Sequence, residues 1–298
     1  MIRLIDAVRW RWAAAGLLAL AALAGCVNID AQQRKWIFQA SSTPDAAMVA
    51  RDDGLDDVWI ALPGGSTVGS SSGSSGAAAA APPLQLHALW LAGPSADAPV
   101  MLYLHGARRN VDGSTFRIRQ MQALGFGVLA IDYRGFGRST DELPSEATVD
   151  EDARAAWGWL AARHPGRDRY IFGHSLGGAI AVRLASEVDD AKGLIVEGTF
   201  TSIPAVFESM RWGWLPITPL ITQRFDAADR IARVKAPVLV VHGDADALIP
   251  PALGRALYER ALAPKRFVLV EGGTHYSTNG VGQRQYRDAL RELYGLGA

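Results

Sequence analysis

The stretch Tyr170-Ile171-Phe172-Gly173-His174-Ser175-Leu176-Gly177-Gly178 decides the fold. A short apolar run ends in a glycine-flanked serine, and a helical pattern follows through about Val188. In that context the serine sits on a strained strand-to-helix turn, where side chains two residues before and after it would collide. Gly173 and Gly177 remove those side chains, and Gly178 and Ala179 let the helix approach the sheet. The turn also puts Ser175 at a helix N-terminus, whose unpaired N–H groups favour developing negative charge. The pattern reads as a nucleophile, against the plainer alternative of an ordinary tight turn.

On both sides of this turn, short apolar runs alternate with helical patterns. Val100–Leu104, Val128–Ile131, Leu194–Val196, Val238–Val241 and Phe267–Val270 are rich in β-branched and apolar residues. Continuous runs of this length suit strands covered on both faces. Thr148 to Ala162 reads as a helix, with Thr148 and Glu151 fitting a capping box and His164-Pro165-Gly166 as the stop. The alternation predicts a mainly parallel α/β sheet flanked by helices. The Gly/Ser/Ala/Pro tract at 64–83 lacks side chains for a core, and reads as a flexible insertion at a hairpin tip between Val58–Leu62 and Leu84–Leu91. Residues 200–235, with Pro204, Pro216, Pro219, Trp212 and Trp214, read equally as a small cap or as a long crossover helix with irregular ends.

A serine hydroxyl needs a base. Of six histidines, His105 and His242 stand at strand ends in His-Gly pairs and shape loops. His174 lies inside the turn and points elsewhere, His164 closes a helix, and His87 lies in an early strand. His275, in a loop beyond the last predicted strand, reaches the edge where Ser175 emerges. An acid belongs between them in chain order. Asp244 and Asp246, after the strand Val238–Val241, are both candidates to orient the imidazole, with Glu197 a weaker third. Oxyanion donors are expected from the backbone N–H of Leu176 and, after the first parallel strand, of Ala107.

The chain is 49% hydrophobic and 20% charged, with 30 basic and 30 acidic residues, so no excess of positive charge suggests a nucleic-acid partner. Arg3, Arg9 and Arg11 precede the apolar run Trp12–Gly25, shorter than the roughly 20 residues that span a bilayer. A basic start, a short apolar stretch and small residues are the marks of a secretory signal. Leu23-Ala24-Gly25-Cys26 looks like a bacterial lipobox, with residues 1–25 removed and Cys26 lipidated. Cys26 is the only cysteine, so no intramolecular disulfide forms. Cleavage would leave 27 basic and 29 acidic residues, and membrane attachment through lipid rather than through a basic patch. Val27 after the cysteine, by resemblance to Gram-negative lipoproteins, implies the periplasmic face of the outer membrane.

LHG at 104–106, DYRGFGRS at 132–139, GHSLGG at 173–178, EGTFTS at 197–202, APVLVVHGDAD at 236–246 and GGTH at 272–275, with RKWIF at 34–38, occur in order over nearly the whole mature chain. The sequence resembles the α/β hydrolases in their serine aminopeptidase and lysophospholipase-like branch, and more narrowly the membrane-anchored bud-emergence-type hydrolases. The resemblance implies the α/β-hydrolase fold over 26–298 and selects Asp246 over Asp244 as the acid. It also implies that Asp132 and Arg134 hold a turn near the site. The chain departs from that family at the 64–83 tract and where His105-Gly106 is followed by Ala-Arg-Arg.

The expected chemistry is cleavage of an ester or thioester through an acyl-enzyme on Ser175, with no metal or organic cofactor. A serine peptidase, or a silent lipoprotein using the fold for binding, is the alternative. Trp212 and Trp214 are expected to line an acyl pocket, to rest at a membrane surface or to form cap core.

Overall fold

The computed structural model describes residues 29–40, 54–62, 83–262 and 264–296. The lipobox with Cys26, and the 64–83 tract up to residue 82, lie outside them. Eight strands form one sheet in the order β1-β2-β4-β3-β5-β6-β7-β8. These are β1 (Asp56–Ala61), β2 (Gln85–Leu91), β3 (Val100–Leu104), β4 (Gly127–Ile131), β5 (Arg169–His174), β6 (Gly193–Glu197), β7 (Val238–Gly243) and β8 (Lys265–Val270). β2 is antiparallel to both β1 and β4, and the other pairings are parallel. The β1–β2 pair extends to the Leu62 N–H, which donates to Leu84 O at 2.9 Å. The residues flanking the low-complexity tract are therefore hairpin partners.

The apolar runs became strands because side chains alternate across a sheet covered on both faces. In β3, Val100, Leu102 and Leu104 join the core on one face, while Met101 and Tyr103 join the core on the other. The first face is covered by α3 (Glu146–Arg163), α4 (Leu176–Ala185), α6 (Ala227–Ile231) and α7 (Pro251–Arg260). The second is covered by α2 (Thr115–Ala123) and α9 (Gln283–Tyr294). The mainly parallel three-layer architecture is the one read from the sequence.

Two local expectations change. α3 begins one turn before Thr148: Ser145 is its N-cap and accepts the Thr148 N–H, while the Thr148 hydroxyl takes the Ser145 N–H at 2.8 Å. Thr148 thus fills the third position of the capping box instead of the first, with a hydroxyl in the role that Glu or Gln usually plays. Residues 200–235 are not one crossover helix. They break into α5 (Ile203–Glu208), a 3-10 turn (Thr218–Leu220) and α6. Pro204 and Pro219 stand in the first turn of α5 and of the 3-10 turn, where a missing N–H is tolerated, while Pro216 falls between the two.

A helix over residues 29–38, α1, precedes the sheet. Its Arg34 reaches the carbonyls of Leu143 and Pro144, and Gln33 Nε2 donates to Leu220 O at 2.7 Å. α8 (Thr278–Val281) links the loop after β8 to α9.

Candidate active site

The carboxyl ends of β3, β5, β6, β7 and β8 deliver the site. β5 runs into Ser175, whose φ of 57° and ψ of −124° lie outside the regions that non-glycine residues favour. The turn is held by Ser175 N–H to Glu197 O at 2.9 Å, and by Thr199 Oγ1 and Gly178 N–H, both donating to Ser175 O at 2.9 Å. The glycines around it are space requirements. A Cβ on Gly173 would strike Gly177 O across the turn, and one on Gly177 would strike the carbonyls of Leu104 and His105. One on Gly178 would strike Thr199 on the neighbouring loop.

The loop after β7 carries Asp246 and the loop after β8 carries His275, both buried. His275 Nδ1 stands 2.8 Å from Asp246 Oδ2. Asp246 Oδ1 accepts the N–H groups of Leu248 and Ile249 at 3.0 and 2.9 Å. Burial alone would raise its carboxyl, but hydrogen bonds from His242, His275 and the Ile249 N–H outweigh that and hold it well below the usual carboxylate range. His242 Nε2 faces both Ile249 O at 2.9 Å and Asp246 Oδ2 at 3.4 Å, so this nitrogen carries the proton. An ionised Asp246 only accepts, so His275 carries its proton on Nδ1 and keeps Nε2 free. Asp244, the other candidate acid, accepts the Gly272 N–H at 2.8 Å and ties the β7 loop to the β8 loop.

Glu197, the third candidate acid, is spent elsewhere. Its Oε1 accepts from Arg117 Nε at 3.0 Å and its Oε2 takes the Tyr286 hydroxyl. Arg117 Nη2 reaches the carbonyls of His275 and Tyr276 at 3.1 and 3.3 Å, and His174 Nε2 at 3.0 Å. His174 does not point away: its ring centroid is 4.8 Å from that of His275. Burial, with the charges of Arg117 and His275, pushes its imidazole well below the ordinary range, so it is neutral, and its Nε2 donates to His275 O at 2.9 Å.

The loop after β3 faces the serine. A Cβ on Gly106 would lie 3.0 Å from Ser175 Cβ, so backbone passes directly over the nucleophile. Tyr133 hydroxyl donates to His105 O at 3.1 Å, and the Arg108 N–H donates to Phe38 O, the last residue of α1, at 2.9 Å. These contacts fix the Ala107 peptide from both sides. Leu176 opens α4, and the first N–H groups of a helix lack intrahelical partners. Asp132, read as structural, accepts the Val111 N–H at 2.8 Å and faces His87 Nδ1 at 3.0 Å. Arg134 pairs with the buried Asp152 at 2.7 Å.

Ser175, Leu176, Ala107 and His275 line one cavity of about 240 Å³. Phe200, Ile203, Val206, Phe207, Met210 and Ile249 give it an apolar wall, and Trp36 of α1 stands at it as well. Trp212 and Trp214 do not line it, and at 59% and 73% exposure neither is cap core. Both expectations for them inside the protein fail because α5 ends before either residue, and the chain carries them outward.

The fold is that of the α/β hydrolases. An esterase from Pyrococcus furiosus has this hydrolase fold, superposing with a TM-score of 0.62 over 87% of this chain and 99% of its own, at 17% identity. The esterase domain of a Rhodothermus marinus protein gives 0.57 over 81% and 100%, at 19% identity. Residues 95–227 match the family described as serine aminopeptidase, S33. An uncharacterised Mycobacterium tuberculosis protein is 39% identical over 58% of this chain and 61% of its own length. The lysophosphatidylserine lipase ABHD12 of Danio rerio is 31% identical over 56% of this chain and 48% of its own. The chain thus spans about half to three fifths of these curated relatives. By sequence and fold its likeness is to esterase- and lipase-like α/β hydrolases.

Three residues at the site escaped the sequence reading. Arg117 acts across 80 residues from Glu197 and 158 from His275, with no local pattern to mark it. Gly198, with φ of 56°, lets Asp246 and His275 meet: a Cβ there would stand 3.3 Å from His275 Nδ1 and 3.4 Å from Asp246 Oδ2. A lone glycine at the end of β6 was the available signal. The role of His242 as a donor to Asp246 lay hidden behind its reading as a loop former.

Proposed function

We propose that the protein is a serine hydrolase cleaving a carboxylic ester or thioester, with Ser175 as nucleophile, His275 as base and Asp246 as the orienting acid. The observation that carries this is the 2.8 Å His275–Asp246 contact in the cavity that also holds Ser175 on its positive-φ turn. Ser175 Oγ attacks the carbonyl carbon while His275 Nε2 takes its proton, and the N–H groups of Leu176 and Ala107 receive the oxyanion. Collapse of the tetrahedral adduct breaks the bond to the leaving alcohol or thiol, which leaves with the proton from His275. Water, deprotonated by the same nitrogen, then releases the carboxylic acid and restores Ser175.

The substrate class is an apolar acyl group, supported by the cavity wall from Phe200 to Met210 and by the acyl-lipid substrate in the name of the ABHD12 relative. Cys26, in its lipobox context, is proposed as the lipidated N-terminus after removal of residues 1–25, holding the enzyme at the periplasmic face of the outer membrane. Among the described residues no helix is long and apolar enough to cross a membrane.

The test is hydrolysis of p-nitrophenyl esters of increasing acyl length by the full chain in detergent, beside Ser175→Ala. Activity that disappears in the variant, with unchanged circular dichroism, is the expected result. Ester turnover retained by Ser175→Ala would refute the assignment. Folded wild-type protein active on aminoacyl amides alone would replace the ester reading with a peptidase.

A further inference from the structure

The cavity around Ser175 opens through an apolar rim. Trp36 of α1, Met210 just past α5 and Leu248 after β7 all line the cavity, and all three are also exposed to solvent. Beyond them the rim widens. Trp212 and Trp214 follow Met210, and Leu220 is drawn against α1 by the Gln33 bond to its carbonyl. Trp36 is 69% exposed and Leu220 61%. Single apolar residues scattered over a surface need no explanation, but a group of this size around the opening of a site marks a contact surface.

The exposure is built in. Residues 210–215 fold into successive tight turns, with the Gly213 N–H donating to Met210 O at 2.9 Å and the Leu215 N–H to Trp212 O at 3.0 Å. A Cβ on Gly213 would strike Glu208 O, so the turn packs on the last residue of α5 and carries a tryptophan on each side of the glycine. The Arg211 guanidinium lies 5.7 Å from the Trp212 ring centroid. A membrane–water interface accommodates this pairing, with the indole at the level of the headgroups and the cation among them.

α1 indicates what covers the rim. Three residue steps join Cys26 to Ile29, the first residue of the helix, so covalent geometry keeps the proposed lipid within about 10 Å of it. α1 is in turn fixed to the rim: Thr222 Oγ1 donates to Asp30 Oδ1 at 2.7 Å, and the Thr222 N–H donates to Gln33 Oε1 at 2.9 Å. An anchor at that point holds this side of the protein at the headgroups.

We propose that the rim formed by Trp36, Met210, Trp212, Trp214, Leu220 and Leu248 docks on the surface of a lipid bilayer, so that the cavity opens into the membrane and draws its acyl ester directly from it. The tether rests on the lipidation proposed for Cys26, and the purpose rests on the serine-hydrolase reading.

The experiment uses the full chain with Cys26→Ser and Ser175→Ala, so that no turnover is needed, and one new cysteine carrying the fluorophore NBD. The labelled variants are Trp212→Cys, Leu220→Cys and, as the control, Leu262→Cys. Leu262 is 54% exposed but lies just before β8, at the amino ends of the strands and away from the site. Every sample keeps residues 1–25, so any binding through them is common to all three. Vesicles of phosphatidylcholine and phosphatidylglycerol include a doxyl-labelled phosphatidylcholine, which quenches NBD that reaches the acyl chains. Quenching at 212 and 220, and none at 262, is the expected result. In the Leu220→Cys protein, adding Trp212→Ser and Trp214→Ser should lower the ratio of docked to free protein by about tenfold or more, the scale of losing two buried aromatic side chains. No quenching at 212 and 220, equal quenching at 262, or a double serine variant that matches its parent would overturn the proposal. A change in emission that needs no vesicles and grows with protein concentration would give the rim to a second copy of the chain instead. All three proteins carry Ser175→Ala, so failure of the ester test leaves these readings unmoved, and their failure leaves the hydrolase reading standing.

Discussion

Arg117 Nη2 donates to the backbone carbonyl of His275 at 3.1 Å, so a side chain from α2 holds the loop that carries the proposed base. The same guanidinium is neutralised by Glu197, fully buried at the end of the strand beside the Ser175 turn. Replacing Arg117 by Met should destabilise the fold by about 3–5 kcal/mol, because Glu197 is left as a buried unpaired charge. It should also lower kcat by about a hundredfold with less effect on KM, through misplacement of His275. Urea unfolding and steady-state kinetics report the two effects separately. Wild-type kcat in a folded Arg117→Met protein would show that the loop does not need this tie.

The Ser175 backbone predicts a variant that gains stability while losing function. A non-glycine residue in such a region costs about 1–3 kcal/mol, against about 0.5–1 kcal/mol of extra chain entropy lost by glycine. Ser175→Gly should therefore be inactive and melt about 2–4 °C above wild type, while Ser175→Ala gains nothing. Equal melting temperatures for the two variants would remove the strain argument.

Asp150, buried on α3, predicts how stability changes with pH. Burial, only partly offset by Arg183 at 2.6 Å, pushes its carboxyl up to about 7, and burial pushes Asp152 up to about 6. In the unfolded chain both ionise near pH 3.9, about the ordinary value for Asp. Between these limits the folded protein binds more protons than the unfolded one, so stability falls as pH rises from about 4 through about 7. Asp150→Asn should flatten that fall and exceed wild type above pH 7 by on the order of 2 kcal/mol. Denaturant midpoints at pH 5 and pH 8 decide it; a variant parallel to wild type at both would contradict the assignment.

Acyl selectivity should follow the residues that line the cavity. Phe207→Ala opens the α5 wall and should move the optimum of the p-nitrophenyl ester series toward longer chains. Trp212→Ser with Trp214→Ser should leave that optimum unchanged and alter stability by no more than about 0.5 kcal/mol per site, as exposed positions do. A chain-length profile that shifts with the tryptophans and not with Phe207 would reverse the assignment of the wall.

What the sequence made legible were features written in neighbouring residues. Val100–Leu104 was readable to the residue because β3 is buried on both faces, and the glycines flanking Ser175 mark a turn with no room for side chains. The pairing of Asp246 with His275 required chain order and family resemblance, since 29 residues separate them. Arg117 was invisible because its partners come from three other elements. The start of α3 was misplaced by one turn since Ser145 and Thr148 are both good caps, and the choice rests on tertiary packing. Trp212 and Trp214 misled because aromatic residues are usually buried, and these two are not.

α1 braces the loop proposed to hold the oxyanion from outside: Phe38 holds Arg108, Arg34 holds the Leu143–Pro144 carbonyls, and Gln33 grips the 220–222 segment. For anyone trimming this gene, the residues up to Cys26 and the helix over 29–38 are separate decisions. A cut just past Cys26 spares these clamps. One placed at the first strand removes them and leaves the loop proposed to hold the oxyanion unbraced, so that an inactive preparation of that kind would not count against the proposed chemistry.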